Sequence, residues 1–276
     1  MINSIKDCTT LNNGLKMPWL GFGVFKVPEG EDVENAIKSA LETGYRHIDT
    51  AALYGNERGV GKAIRASGVP REEIFLTTKV WNDNQRKQRI HVAFEESLNR
   101  LDTDYVDLYL IHWPVKGYYL DTWKKMEEIY KSGKAKAIGL SNFLVHHIED
   151  ILNECKIVPA VNQVEFHPFL LQPELLKFCQ SKNIQLEAWA PLIQGKFVGV
   201  QDFEQTAEKY RKSPAQIILR WDLQHQVVTI PKSTNPQRIS ENANIFDFEL
   251  SAEDMLKLDL LDKGKRIGPD PDHFDF

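Results

Sequence analysis

Long apolar runs are absent from this sequence. No stretch reaches the roughly 18 residues that a membrane-crossing helix requires, so no such span is expected. The first residues, MINSIKDCTTLNNG, lack the apolar centre of a secretory signal. Cysteine is scarce, with Cys8, Cys155 and Cys179 alone, and no two of them share the spacing of a zinc or redox motif. A small, odd number argues against a disulfide framework and points to a reducing cytoplasm. Positive charge is not in excess either. The net charge is −5, which speaks against a broad nucleic-acid-binding face. Two glycine patterns fall short of a dinucleotide fingerprint. Gly59-Val60-Gly61 lies inside a helical pattern, and Gly21-Phe22-Gly23 lacks the third glycine, so a Rossmann site is unsupported. There is no low-complexity tract or Pro/Gly/Ser-rich linker, so residues 1–276 are expected to form one domain.

What is present is a rhythm. Hydrophobic residues make up 42% and charged residues 26%, an ordinary balance for a chain that buries a large core. Short β-branched and aliphatic runs alternate with longer amphipathic segments. The runs end near residues 22, 49, 79, 112, 141, 163, 188 and 230, mostly one strand plus one crossover helix apart. The last interval is longer, and 191–202 is the expected extra loop. Helical patterns cover 33–41, 85–101, 122–130, 145–153, 173–181, 214–223 and 236–244. Ser213-Pro214 and Asn235-Pro236 read as helix starts, and Ser251 to Asp254 as a capping box with Asp for the usual Glu. Residues 11–15, Leu-Asn-Asn-Gly-Leu, read as a hairpin turn ahead of the first repeat. Eight strand–helix units predict a closed (β/α)₈ barrel, the TIM barrel, with an N-terminal β-hairpin; an open doubly wound sheet is the alternative.

Barrel enzymes carry their chemistry where the strands end. Here three consecutive strands end in Asp49, Lys79 and His112. Each has a bland reading alone: a turn residue, a solvated lysine, a packed histidine. Together they are harder to dismiss. Charges on inward positions cost several kcal/mol unless paired, so Asp49 and Lys79 are expected to meet.

The segment after the second strand carries the most specific signal: Gly44-Tyr45-Arg46-His47-Ile48-Asp49-Thr50-Ala51, then Tyr54-Gly55-Asn56-Glu57. Ile111-His112-Trp113-Pro114, Gly139-Leu140-Ser141-Asn142-Phe143, Asn162-Gln163-Val164-Glu165 and Ile230-Pro231-Lys232-Ser233 follow in order. On these motifs the chain resembles the aldo-keto reductases over nearly its whole length, above all the prokaryotic reductases of glyoxal, methylglyoxal and diketogluconate.

The resemblance implies NADPH-dependent reduction of aldehydes and ketones, with Tyr54 donating the proton, Lys79 and Asp49 tuning it, and His112 holding the carbonyl oxygen. A free phenol titrates at about 10, and a neighbouring cation favours the phenolate. No metal is required. The resemblance places Ser141, Asn142 and Gln163 on the nicotinamide carboxamide and stacks Trp189 on its ring, where the family usually has tyrosine. Gly23, Val24, Phe25, Asp49, Ala190, Leu192 and Thr234 line the cofactor. Lys232, Ser233 and Arg238 form its phosphate end at a helix start, which suits an anion. Glu241 and Asn242 fall on the adenine side. Val24, Ala190 and Thr234-Asn235 depart from common family residues at cofactor positions. Phe25, Trp81 and Trp113 are expected to make an apolar substrate wall with Tyr54 and His112. Short rim segments predict an open pocket for small aldehydes, 2-oxoaldehydes such as methylglyoxal, and keto sugars. A monomer is implied.

Two other classes fit parts of the sequence. A barrel glycosidase could use Asp49 and Glu165, but would leave Lys79 and Tyr54 without a role. A non-catalytic NADPH-binding sensor would bind cofactor without turnover.

Overall fold

The computed structural model describes residues 2–276. Strands β1 (Cys8–Thr10) and β2 (Lys16–Pro18) pair antiparallel across the 11–15 turn, as the turn residues predict. Eight further strands form one parallel sheet in sequence order. They are β3 (Phe22–Gly23), β4 (His47–Asp49), β5 (Phe75–Val80), β6 (Val106–Ile111), β7 (Ala135–Ser141), β8 (Val161–Glu165), β9 (Gln185–Trp189) and β10 (Val228–Thr229). The sheet closes on itself. Gly21 N donates to Thr229 O at 2.9 Å, and Thr229 N to Trp19 O at 3.1 Å, so the expected barrel is formed and the open sheet is excluded.

Helices fill the crossovers: α1 (Glu31–Thr43), α2 (Glu57–Ala66), α3 (Asn82–Arg86), α4 (Ile90–Leu101), α5 (Tyr119–Lys131), α6 (Val145–Glu154), α7 (Pro173–Ser181), α8 (Gln201–Tyr210), α9 (Pro214–Gln224), α10 (Pro236–Ala243) and α11 (Ala252–Asp259). Ser213, Asn235 and Ser251 cap α9, α10 and α11 by accepting from the backbone N–H three residues on. The helix predicted over 85–101 is broken in two. Gln88 adopts φ 53°, and Arg89 N turns back to Asn84 O, which interrupts the helical ladder between α3 and α4. The long last interval holds more than a loop: residues 190–200 lead into α8, a whole additional helix. Gly61 explains why α2 tolerates glycine in its interior. A Cβ there would sit 2.0 Å from Leu101 O at the end of α4.

The inside of the barrel is graded. Alternation along each strand turns every second residue inward. At the lower end, Phe75, Leu108, Leu110, Ala137, Val161 and Val228 pack with Leu11 and Met17 of the hairpin, which plugs the barrel floor. Two residues further along the same strands the lining becomes polar. Thr77 and Lys79 follow Phe75 on β5, and Gln163 and Glu165 follow Val161 on β8. An apolar floor thus supports a buried polar layer at the strand C-termini.

Candidate active site

Lys79 is fully buried and makes three short contacts. Its Nζ lies 2.7 Å and 2.8 Å from the two oxygens of Asp49 and 2.9 Å from Thr50 O. A fourth neighbour, the Tyr54 hydroxyl, stands at 3.5 Å. Tyr54 comes from the short 3₁₀ turn Ala52–Tyr54 after β4, which brings its half-buried ring over the barrel mouth. His112 directly follows β6 beside it, its ring centroid 5.7 Å from that of Tyr54. The four residues expected to act together are therefore together.

Their electrostatics sharpen the expected roles. Burial raises the Tyr54 phenol to about 12, although the Lys79 cation pulls the other way. The cation alone suggests a lowered value; desolvation is the larger effect, so the tyrosine holds its proton. Lys79 is raised overall, because Asp49 and Tyr54 more than offset its desolvation. His112 is held well below the usual histidine range, first by burial and then by Lys79, so the ring is neutral. Its Nδ1 is buried with no partner.

Ser141, Asn142 and Gln163 end β7 and lie along β8 at the same rim, all buried. Asn142 adopts φ 66° and is fully engaged: Nδ2 donates to His112 O at 2.9 Å, and Oδ1 accepts from Trp189 Nε1 at 2.8 Å. In this arrangement it fixes the Trp189 indole over the mouth. Ala190, next along, also adopts a positive φ, 51°, as the chain leaves β9 sharply towards half-buried Leu192. Gly23 ends β3 against β4, and Val24 follows it with its N donating to Asp49 O.

Lys232, Thr234, Arg238 and Glu241 are exposed around the start of α10, with Ser233 and Asn242 buried beneath. Glu241 accepts from Gln237 at 2.8 Å within the helix. The cluster stands after β10, the strand beside β9.

The aromatic wall is larger than the sequence reading held. Phe25 lies 4.9 Å from Tyr54, and Trp81 lies 5.1 Å from His112. The C-terminal tail adds two more rings. Phe276 stacks on Trp81 at 5.7 Å with an interplanar angle of 2°, and Phe274 lies 5.2 Å from Trp113. The tail is tied down at three places. Glu165 accepts from Ile267 N and Gly268 N at 2.5 and 3.0 Å. Asp272 meets His146 and His147 at 3.0 and 3.3 Å. Asn82 and Arg86 donate to Phe276 O. The pocket is thus more enclosed than its short rim loops imply. His146, His147 and Asp272 have the spacing of a metal cluster. However, His147 Nδ1 accepts from Leu144 N at 3.2 Å, which puts the ring proton on Nε2, facing Asp272. That is the chemistry of a clasp.

Glu187 and His47 lie outside the site residues expected from the sequence. They lie just below the mouth, both fully buried, with His47 Nε2 3.6 Å from Glu187 Oε1. Strand alternation could have shown them: Trp189 faces the mouth, so Glu187, two residues earlier, faces inward beneath it.

The closed barrel thus carries a Tyr–Lys–Asp chain and a neutral histidine at its strand ends, groups able to hold and transfer a proton. Residues 19–263 match the aldo/keto reductase family. The chain is 57% identical to the glyoxal reductase of Bacillus subtilis over the full length of both. It is 48% identical to the methylglyoxal reductase DkgA of Salmonella typhimurium, over 96% of each chain. Among solved structures, an aldo-keto reductase from a Medee basin deep-sea metagenome library superposes with TM-score 0.94 at 46% identity, covering 97% of this chain and 100% of that one. The aldose reductase of Schistosoma japonicum follows at TM-score 0.90 and 36% identity, covering 95% and 94%. The protein belongs to the aldo/keto reductase family, whose members generally use NAD(P)H.

Proposed function

We propose that this protein reduces small aldehydes, 2-oxoaldehydes such as methylglyoxal and keto sugars with NADPH, and that Tyr54 donates the proton. The observation that carries the reading is the Tyr54 hydroxyl 3.5 Å from Lys79 Nζ, whose charge Asp49 holds at 2.7 Å. As the substrate oxygen gains negative charge, Tyr54 gives up its proton to that oxygen, and the phenolate forms against a cation already in place. No charge has to move to meet it. His112 is neutral, and a proton on Nε2 avoids burying an N–H without an acceptor at Nδ1. From Nε2 the ring donates to the carbonyl oxygen and orients it.

The donor set suits a nicotinamide dinucleotide, which supplies the hydride when bound. Trp189 offers a flat face fixed by Asn142, and Ser141 and Gln163 offer polar groups beside it. Lys232 and Arg238 are exposed at the start of α10, where the helix dipole adds to their charge. Two cations there favour the extra phosphate of NADPH over NADH. Gly23, Val24, Phe25, Ala190, Leu192, Ser233, Thr234, Glu241 and Asn242 complete the proposed contact surface. Phe25, Trp81 and Trp113 admit a small carbonyl, and the tail rings narrow the space. The relatives named for glyoxal and methylglyoxal support that size class.

Residues 1–276 act as one unit in this reading, as a cytoplasmic monomer. Three free thiols suit a reducing compartment. Among the described residues no helix is long and apolar enough to cross a membrane. The test is oxidation of NADPH against a panel of aldehydes, 2-oxoaldehydes and keto sugars, repeated with NADH. Turnover with methylglyoxal and NADPH supports the reading; cofactor binding with no turnover across the panel overturns it.

A further inference from the structure

Gln163 is held from two sides. Its Nε2 donates to Asp49 Oδ2 at 2.8 Å and to Glu187 Oε2 at 2.8 Å, and Glu187 stands directly opposite it in the β8–β9 register. An amide nitrogen has two protons, and both are thereby directed into the barrel wall. The amide oxygen, an acceptor only, is left for the mouth. Without Glu187 one buried proton would lack a partner, and the amide would be held by Asp49 alone.

We propose that Glu187 is a positioning residue for the cofactor: by accepting one Gln163 proton opposite Asp49, it fixes Gln163 Oε1 towards the mouth as an acceptor for the N–H₂ of the nicotinamide carboxamide. The inference rests on the cofactor reading above. Glu187 does this as a neutral group. It is fully buried, and its Oε1 has no hydrogen-bond partner among the described residues. The charged or titratable groups facing it are His47 and Asp49 on β4, Lys79 on β5 and, beyond them, Tyr54. Lys79 already neutralises Asp49, so a second carboxylate here would be unpaired. Burial, then Asp49, pushes Glu187 up to about 8, and it keeps its proton at neutrality. A neutral acceptor is what an isosteric glutamine would also provide.

The test compares two dinucleotides, NADPH and its 3-acetylpyridine analogue, whose acetyl group has no N–H to donate. Binding is read by quenching of tryptophan fluorescence, with no turnover required. The wild type is expected to prefer NADPH by about tenfold, the worth of one well-placed hydrogen bond. Glu187→Leu collapses that preference to within about twofold, while Glu187→Gln keeps most of it. Should the leucine variant not fold, Glu187→Thr, too short to reach Gln163, replaces it. An undiminished preference in Glu187→Leu or Glu187→Thr overturns the inference, as does an equal collapse in Glu187→Gln. A wild type that binds both dinucleotides equally overturns it as well. A wild type that binds neither overturns the cofactor reading itself.

Discussion

Lys79 and Asp49 form a buried ion pair at the base of the mouth, with both carboxylate oxygens within 2.8 Å of one ammonium. Two strands thirty residues apart deliver it, β4 and β5, paired in parallel register. The pair is expensive to bury and useful only if it has work to do. In the proposed mechanism its position under Tyr54 supplies that work.

Breaking the pair from one side should destabilise the barrel. Lys79→Met leaves Asp49 buried without its cation, and loss of one partner of a buried pair costs about 3–5 kcal/mol. Thermal unfolding should show a melting temperature lower by roughly 6–15 °C. The double variant Lys79→Met/Asp49→Leu should regain most of that loss. A double variant as unstable as the single one would show that the cost lies in packing.

Acid should weaken the fold through His47. Burial, followed by Lys79, lowers this histidine to about 3, against about 6.5 when unfolded. Its neutral form is stabilised, so its contribution is present above pH 6.5 and is lost as pH falls towards 3. His112 acts in the same sense. Glu187 acts oppositely: its contribution is full below about 4.5 and is lost as pH rises through about 8. Melting temperatures taken from pH 4 to 9 should therefore fall more gently on the acid side in His47→Gln. They should fall more gently on the alkaline side in Glu187→Gln. Curves parallel to the wild type would contradict these assignments.

These two residues also mark how far the sequence could be read. Asp49, Lys79 and His112 end their strands, so the repeat alone placed them at one rim. Tyr54 and the proposed cofactor residues needed the family motifs, since a loop tyrosine has no periodic signature. Glu187 and His47 lie one layer down, and only the inward alternation of β9 and β4 reveals them. The break at Gln88 was hidden, because the apolar pattern runs on through both helices. The contacts of Phe274 and Phe276 with Trp113 and Trp81 join ends of the chain that no local pattern connects.

The tail should loosen when Glu165 is removed. Glu165→Ala deprives Ile267 N and Gly268 N of their acceptor. Amide exchange across 267–276 should speed up while the barrel strands stay protected. KM for small aldehydes should rise by more than kcat falls, since the wall is disturbed and the proton donor is not. Unchanged exchange in the tail would show that the aromatic stacks hold it alone.

Cofactor preference should reside partly in Arg238. Arg238→Ala is expected to weaken NADPH binding about tenfold or more, the loss of a charge-assisted contact, and to change NADH binding by less than about twofold. Equal effects on both would place the extra phosphate elsewhere.

The central claim is that Tyr54 is the proton donor, and Tyr54→Phe tests it most directly. The variant keeps the ring against Phe25 and His112 and removes only the hydroxyl beside Lys79. Methylglyoxal reduction by the variant should fall by about 10²-fold or more, with the Kd for NADPH within about twofold of wild type. Turnover close to wild type would contradict the account.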